Sequence, residues 1–100
     1  MSGKAARFGD FGTGHGCWPS RANIEGSGNV KVNGLGWHRV GDAWAIHCCV
    51  VFPFPCHASN LQEGAPTVYV NGRAAGRTDD LVACGSYVST GSQNVYVGDA

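Results

Sequence analysis

The chain has 100 residues, of which sixteen are glycine, and its seven basic and seven acidic side chains leave no net charge. This length predicts one small domain, residues 1–100, whose thin core needs support from a metal, cross-links or a partner. The balanced charge excludes nucleic acid as that partner, because phosphate binding needs a basic surplus. No apolar run approaches the roughly twenty residues that span a bilayer. Residues 1–7 lack the apolar stretch of a signal peptide, which predicts synthesis in the cytoplasm without general secretory export.

The predicted elements are short strands that occur in three copies. Residues 26–34 (GSGNVKVNG) return as 64–72 (GAPTVYVNG) and, shortened, as 91–98 (GSQNVYVG). Each copy contains a Val-x-Val alternation, which predicts a strand with one buried face. The Asn-Gly pairs at 33–34 and 71–72 favour type I′ hairpin turns, which need positive φ at both positions, and return strands are predicted at 35–40 and 73–78. Glycine or proline interrupts nearly every helix-length window, so the fold is predicted to be all-β.

A second phrase recurs between these strands and pairs an arginine with an aspartate three residues later. Its copies are Arg7 with Asp10, Arg39 with Asp42, and Arg77 with Asp80. We expect each aspartate to accept hydrogen bonds from turn backbone and from its arginine. An acidic residue repeated at three equivalent positions is typical of a structural role, whereas a catalytic site is normally asymmetric.

A side chain that can bind a metal follows each copy of the second phrase: His15, His47 and Cys84. If the copies are related by an approximate threefold axis, these side chains converge on one ion. A structural zinc site takes four nitrogen or sulfur ligands in a tetrahedron, so a fourth ligand is expected from the long segment 48–61, which shows no strand pattern. Its candidates are His57, which is preferred, and Cys48, Cys49 and Cys56.

The remaining cysteines and histidine receive structural interpretations. Cytoplasmic synthesis and an odd count of five cysteines argue against disulfides. Cys17 is therefore predicted to be a packed free thiol. Cys48 and Cys49 adjoin in a predicted strand over 42–52 and would face opposite ways, so at most one points at the metal. His38 lies outside the recurring phrase and is interpreted as structural or surface.

These motifs together resemble the PAAR-repeat family, the pointed tips of contractile injection machines. The resemblance rests on Gly-Ser-x-x-Val-x-Val-Asn-Gly, then Arg-x-Gly-Asp, then a histidine, and it spans about residues 5–97. The His-Gly-Cys at 15–17 and the Asp-Ala-Trp-Ala-Ile-His at 42–47 strengthen it. The namesake Pro-Ala-Ala-Arg is matched loosely at 4–7, 36–39 and 74–77, without its proline.

The resemblance implies a small cone of short β-hairpins with approximate threefold repetition and one zinc near the apex. Carried onto this chain, the zinc ligands are His15, His47, His57 and Cys84. The base of the cone would cap a trimeric β-helical spike, with three spike chains to one tip, and the apex would meet the target membrane. Separate effectors are further partners that the resemblance allows.

The resemblance also implies where the protein works. It would be assembled on the spike and then carried on a phage tail or injected into a target cell by a type VI secretion system, and the residues do not distinguish the two. We expect no effector extension on this chain and no enzymatic activity, since Ser-His-Asp order, a phosphate loop and a His-Glu-x-x-His helix are missing.

Two other functions remain as alternatives. A small zinc-dependent hydrolase would keep one coordination position open for water, with three protein ligands. A stand-alone metal-binding module, or a disulfide-stapled binding module, would need no spike partner. Metal analysis combined with a count of free thiols separates these alternatives from the tip.

Overall fold

The computed structural model describes residues 2–98, with side chains from residue 3 onward, as an elongated body of 42 × 27 × 23 Å. Ten short strands form five antiparallel pairs, β1–β10, β2–β3, β4–β5, β6–β7 and β8–β9. The strands are β1 (Ser2–Lys4), β2 (Phe11–Gly12), β3 (Arg21–Ala22), β4 (Lys31–Val32), β5 (Leu35–Gly36), β6 (Ala43–Cys48), β7 (Cys56–Asn60), β8 (Tyr69–Val70), β9 (Arg73–Ala74) and β10 (Tyr96–Gly98). Across the described range no helix is long and apolar enough to cross a membrane. The all-β prediction is confirmed.

The threefold repetition is visible as a closed ring of main-chain hydrogen bonds. The amide of Ala6 donates to the carbonyl of Gly76 (3.0 Å), that of Gly76 to His38 (2.7 Å), and that of His38 back to Ala6 (2.9 Å). These three residues each precede the arginine of one copy of the second phrase. A ring of three equivalent bonds defines an approximate threefold axis within a single chain.

The hairpins β4–β5 and β8–β9 turn at the predicted Asn-Gly pairs. Asn33 and Gly34 have φ of 54° and 79°, and Asn71 and Gly72 have the same values, which matches the type I′ requirement. The return strands are shorter than predicted, two residues each instead of six. The remainder of each predicted strand leaves its hairpin and bridges to another copy. These bridges are Arg7 with Trp37, Arg39 with Ala75, and Ala5 with Arg77.

The three repeat strands bury their valines around one small core. Val32, Val70 and Val97 are buried together with three alanines, and the preceding valines 30, 68 and 95 pack against the cluster. The alternate positions, Lys31, Tyr69 and Tyr96, point outward and are exposed. The predicted period of two is confirmed. We call the half of the molecule built from β1, β4, β5, β8, β9 and β10 the base half.

A second core lies between the base half and the remaining strands. Its buried members are Ala6, Trp44, Leu61, Val82 and Val88. The Trp44 ring leaves no room for a side chain at Gly12, where a Cβ would lie 2.9 Å from it. Three bridges close around this core and again relate one copy to the next: Asn23 with Trp44, Leu61 with Val82, and Gly12 with Val88. We call the half built from β2, β3, β6 and β7, together with the turn at 81–87, the apex half.

The predicted Arg–Asp pairs form in all three copies. Asp10 and Asp42 each accept two side-chain bonds and one backbone bond from their arginines. Burial acts to raise the pKa of both carboxyls, but these hydrogen bonds and the guanidinium charges lower it. In the third copy burial dominates and raises the pKa of Asp80 to about 6, although Arg77 acts against it. The architectural interpretation of these acids is therefore supported, and one of the three pairs is electrostatically different.

The hairpin β6–β7 corrects two strand predictions. The strand predicted over 42–52 ends at Cys48, and the segment 48–61, predicted to lack a strand, contains β7. The chain reverses between them where Pro53 and Pro55 remove backbone donors. The pairing places His47 opposite His57 and Cys48 opposite Cys56, with a register shift between Trp44 and His47.

Candidate metal centre

Four metal-capable side chains meet in the apex half, supplied by three separate local structures. His15 lies in the tight turn between β2 and β3, where it bridges to Trp18. His47 and His57 face each other across the β6–β7 hairpin. Cys84 lies in the short turn at 81–87, just before Gly85, whose φ is 107°. The metal-binding atoms of these four residues all lie within 4.8 Å of one another.

The three imidazoles point the same nitrogen at a common centre. The Nε2 atoms of His15 and His47 are 3.2 Å apart, those of His15 and His57 are 3.1 Å apart, and those of His47 and His57 are 2.6 Å apart. The Nδ1 of His47 lies 2.8 Å from the carbonyl oxygen of Pro19. Because a carbonyl only accepts, this Nδ1 carries the proton and the Nε2 carries a lone pair.

This geometry fits a tetrahedral metal ion. Ligands at zinc–nitrogen bonds of about 2.0–2.1 Å are separated by about 3.3–3.4 Å along each edge of the tetrahedron. Two of the observed nitrogen separations are close to that value, and the His47–His57 pair needs to open by about 0.7 Å to reach it. Facing lone pairs repel unless a cation or a proton lies between them, so the convergence itself favours a bound cation.

The surroundings of the histidines keep them in the metal-binding form. Burial lowers the pKa of His15 and of His57, and the neighbouring His47 and Arg21 lower both further by charge repulsion. A neutral imidazole is the form that binds metal. Trp18 packs beside both rings, with centroid distances of 5.2 Å to His15 and 4.8 Å to His57, and so limits access of water to them.

The thiol of Cys84 has partners that favour its thiolate. Burial alone would raise the pKa of Cys84, but hydrogen bonds with Ser86 and Ser59 and the charge of Arg21 together lower it. The Nη2 of Arg21 donates to the sulfur at 3.3 Å, and the Nη1 donates to the Ser86 hydroxyl at 3.1 Å. Arg21 is itself held over the ring of Trp44, 4.9 Å from its centroid. The thiolate is the form that binds zinc.

The other cysteines form two disulfides, which corrects the prediction of free thiols. Cys17 is bonded to Cys49 and Cys48 to Cys56, and Cys84 is the free cysteine of the described residues. Cys17 is therefore not a packed thiol, and the sulfurs of Cys48, Cys49 and Cys56 are not available as alternative ligands. Adjacent Cys48 and Cys49 do face opposite ways, since each pairs with a different segment.

The sequence contains a signal for one disulfide, although the predicted cytoplasmic synthesis argued against cross-links. The order His47-Cys48 is mirrored by Cys56-His57, and antiparallel pairing of mirrored residues brings like with like. Cys48 and Cys56 have their Cα atoms 4.0 Å apart, which is one consequence of that register. The roles of Arg21 and Trp18 had no comparable signal, because neither lies in a repeated phrase.

His38 is separate from the cluster and has the structural role given as one of its two interpretations. Its side chain is completely buried and packs edge-on against Trp44. Its Nδ1 lies 2.6 Å from the carbonyl of Glu25 and donates to it. Burial lowers the pKa of His38, so the ring is neutral within the core.

The fold and the cluster agree with what comparison with known families shows. The sequence profile of the PAAR motif matches residues 13–90, a range that contains all four cluster residues. The chain belongs to the PAAR motif family. Family membership extends across both halves of the molecule, from the β2–β3 turn to the segment before β10.

Two curated relatives share this PAAR region. One is the NAD(P)(+) glycohydrolase toxin Tse6 of Pseudomonas aeruginosa strain PAO1, and the other is the (p)ppApp synthetase toxin Tas1 of Pseudomonas aeruginosa strain UCBPP-PA14. Each is 38% identical over an aligned length of 81 residues, and the match covers 75% of this chain. The matched part is 18% of either relative, so the chain spans about a fifth of their length.

Proposed function

We propose that this chain is a structural tip protein that caps and sharpens the trimeric β-helical spike of a contractile injection machine. The observation that carries the proposal is the combination of a threefold main-chain ring in one chain with four metal-capable side chains converging in one half. The ring gives the molecule a symmetry that a trimer can match. The convergence gives it a means of stabilising a half whose strand β7 has no buried side chain.

The base half supplies the surface for docking. The three equivalent positions Lys31, Tyr69 and Tyr96 are exposed on three equivalent strands, while the valine faces are buried against one another. Each base sheet has two strands, and a strand at a sheet edge offers backbone groups for pairing. Three such edges arranged about one axis would meet three spike chains, one copy to each.

The apex half would hold one zinc ion through His15, His47, His57 and Cys84. This set of three nitrogens and one sulfur is a donor set of structural zinc sites, which are closed and tetrahedral. Metal bound at such a site contributes directly to folding free energy. A closed site suits a point that must keep its shape under load.

A non-enzymatic role is supported by the donor count and by the relatives. Four protein ligands leave no coordination position for a catalytic water. The two relatives are named for different activities, yet they match this chain equally well over the same share of its length. A region common to a glycohydrolase and a synthetase does not account for the difference between their activities. A shared delivery role fits such a region.

The relatives also favour one machine over the other. Both are toxins of a bacterium, which supports a type VI secretion spike over a phage tail. On this proposal the protein is assembled on the spike and injected into the target cell with it, and toxins or other effectors are carried at the same tip.

The docking part of the proposal is tested with the purified spike trimer. Mixing should give a complex of three spike chains and one tip, measured by light scattering or native mass spectrometry. The double variant Tyr69→Asp/Tyr96→Asp should weaken this complex, because it puts charges on the base. The matched variant Phe11→Asp/Tyr87→Asp, which changes two exposed aromatic side chains of the apex half, should leave it intact. Absence of a complex with an intact spike end would refute the docking role.

The metal part is tested separately on the tip alone. Metal analysis should find one zinc per chain, and X-ray absorption should show three nitrogen neighbours and one sulfur neighbour. Thiol counting after zinc removal should find the single free thiol of Cys84. An oxygen neighbour in place of one of the four ligands would favour the zinc-hydrolase alternative.

A further inference from the structure

Among the described residues, the loop between β6 and β7, residues 49–55, holds the most exposed group of apolar side chains. We call it the apical loop. Phe52 is 81% exposed, Val50 76%, Val51 60% and Phe54 55%. Four large apolar side chains within five positions thus keep more than half of their surface in contact with solvent. The loop is therefore a protrusion and not one wall of a groove.

The apical loop lies on the far side of the metal cluster from the base half. Strand β6 starts beside the second core at Trp44, passes the cluster at His47 and ends at Cys48. At about 3.3 Å per residue this path takes the chain about 13 Å from Trp44 to Cys48. Among the described strands, β6 packs on β7 and β3 and on none of the base strands. The loop is thus carried outward, beyond the proposed zinc.

The main chain of the apical loop satisfies much of its own hydrogen bonding. The amide of Cys49 donates to the carbonyl of Pro55 and the amide of Phe54 donates to the carbonyl of Val51, both at 2.8 Å. Pro53 and Pro55 have no amide hydrogen. Unpaired backbone groups are what make irregular loops costly in hydrocarbon. In this loop two amides are paired within the loop and two further positions have no amide hydrogen, which lowers that cost.

The absence of charged side chains and the two disulfides also favour contact of the loop with an apolar medium. Residues 43–60 contain no Asp, Glu, Lys or Arg, and a charged side chain costs about 2.5–3.5 kcal/mol to place in a bilayer centre. Both disulfides tie down the ends of the loop, Cys49 to Cys17 and Cys48 to Cys56. Trp18 adds a hydrogen bond from its indole to the carbonyl of Pro55, at 3.0 Å. The apolar side chains are therefore presented on a constrained frame.

We propose that the apical loop is a lipid-contacting wedge, which inserts the side chains of Val50, Val51, Phe52 and Phe54 into the boundary between headgroups and acyl chains of a phospholipid bilayer. A convex, uncharged and internally hydrogen-bonded surface fits a fluid apolar medium better than a protein groove. The placement of the loop at the leading point rests on the proposed tip function, whereas its affinity for lipid does not.

The test uses the oxidised, zinc-loaded full chain and vesicles of phosphatidylcholine. These vesicles have no net charge, so electrostatic attraction to the bilayer does not contribute to binding. Co-flotation should show partition of the protein into the vesicle fraction. Phe52→Trp should add fluorescence that is quenched by bromine atoms placed on the acyl chains, measured against the background of the natural protein. Phe52→Ser/Phe54→Ser should lower the partition coefficient by at least about tenfold, because it removes two apolar side chains from the bilayer.

The control is Phe8→Ser/Phe11→Ser, which removes two phenylalanines that are each 49% exposed outside the loop and should leave partition unchanged. Equal partition of the two double variants would overturn the proposal, and so would fluorescence of the Phe52→Trp variant that acyl-chain bromines leave unquenched. Binding that requires a protein component of native membranes would also overturn it. Both double variants should still form the spike complex. If the natural protein bound vesicles as expected but formed no spike complex, that result would count against the tip function alone.

Discussion

The base half and the apex half use the same repeat in different ways. In the base half two near-identical hairpins and the pair formed by the first and last strands surround one apolar cluster, and each copy contributes the same valine. In the apex half the copies diverge. The first contributes a short hairpin with His15, the second a long cross-linked hairpin with two histidines, and the third a tight turn with Cys84.

On the proposed function, the difference follows from what each half would bind. Three equal copies would match a threefold partner, whereas a tetrahedral zinc ion would take four ligands. Three equivalent positions supply three metal-capable side chains, His15, His47 and Cys84, and the fourth, His57, lies on β7 of the long hairpin. The β6–β7 hairpin is therefore the point at which the repeat departs from symmetry.

Replacing one proposed zinc ligand should destabilise the apex half more than any other change and alters no residue of the base half. For Cys84→Ser or His15→Ala we expect loss of bound zinc and a fall in the free energy of unfolding on the order of several kcal/mol, since structural zinc contributes about 10–16 kcal/mol of apparent binding energy. Thermal melting and metal analysis measure both effects. A chelator should lower the melting temperature of the natural protein and leave that of the variant unchanged. Natural melting and metal content in both variants would refute the ligand assignment.

The disulfides offer a second way to weaken only the apex half. Their loops span 32 residues for Cys17–Cys49 and 8 for Cys48–Cys56. From loop closure alone we expect Cys17→Ser/Cys49→Ser to cost about 3.7 kcal/mol and Cys48→Ser/Cys56→Ser about 2.5 kcal/mol. The second change should also weaken zinc binding, because Cys48–Cys56 adjoins the His47–His57 pair. Denaturant unfolding and zinc competition measure these changes, and unchanged zinc affinity would show that the pair is held without the cross-link.

The two halves also differ in how far the sequence could predict their structure. The turns and buried faces of the base half were predictable because their signals are local, whereas the lengths of its return strands and strand β1 were not. Asn-Gly needs a particular turn, and Val-x-Val needs one buried face. In the apex half the convergence of four metal-capable side chains was predictable from residue type and register. Strand β7 was not, because its residues are exposed or only partly buried and show no apolar alternation. That strand is held by cross-links and by pairing with β6, and the sequence signal for both is the mirrored order of His47-Cys48 and Cys56-His57, not an apolar alternation.

The three Arg–Asp pairs allow the copies of the repeat to be compared with one another. Because the folded pKa of Asp80 is raised from 3.8 to about 6, its contribution to stability is present below pH 4 and is lost as the pH rises to about 6. The pKa of Asp10 is lowered, so its contribution is present above pH 4 and is lost on acidification. From pH 4 to pH 7, Asp80→Asn should therefore gain up to about 3 kcal/mol relative to the natural protein, and Asp10→Asn should lose stability relative to it.

Denaturant unfolding at pH 4.5 and pH 7 measures these differences. Comparing each variant with the natural protein at the same pH cancels the titration of the cluster histidines, which all three proteins share. Parallel pH profiles for the two variants would show that the third pair is not distinct from the first.

The smallest expected effect is a change confined to one base hairpin. Gly34→Val places a β-branched residue at a φ of 79° and should cost about 1–3 kcal/mol. Gly28→Val is the matched control, since a Cβ there meets nothing within 4 Å and its φ is not positive. Zinc content should be unchanged in both variants. Equal stability of the two would contradict the type I′ assignment at this turn.

The ring formed by Ala6, His38 and Gly76 has a consequence for how such a chain can evolve. Its bonds join peptide groups, so two positions hold side chains as different as a methyl group and an imidazole, whereas a Cβ at the third, Gly76, would lie 2.7 Å from the carbonyl oxygen of His38. Duplicated segments linked in this way can drift apart in composition while their arrangement persists. One polypeptide can thereby keep approximate threefold symmetry in one half while its copies differ in the other.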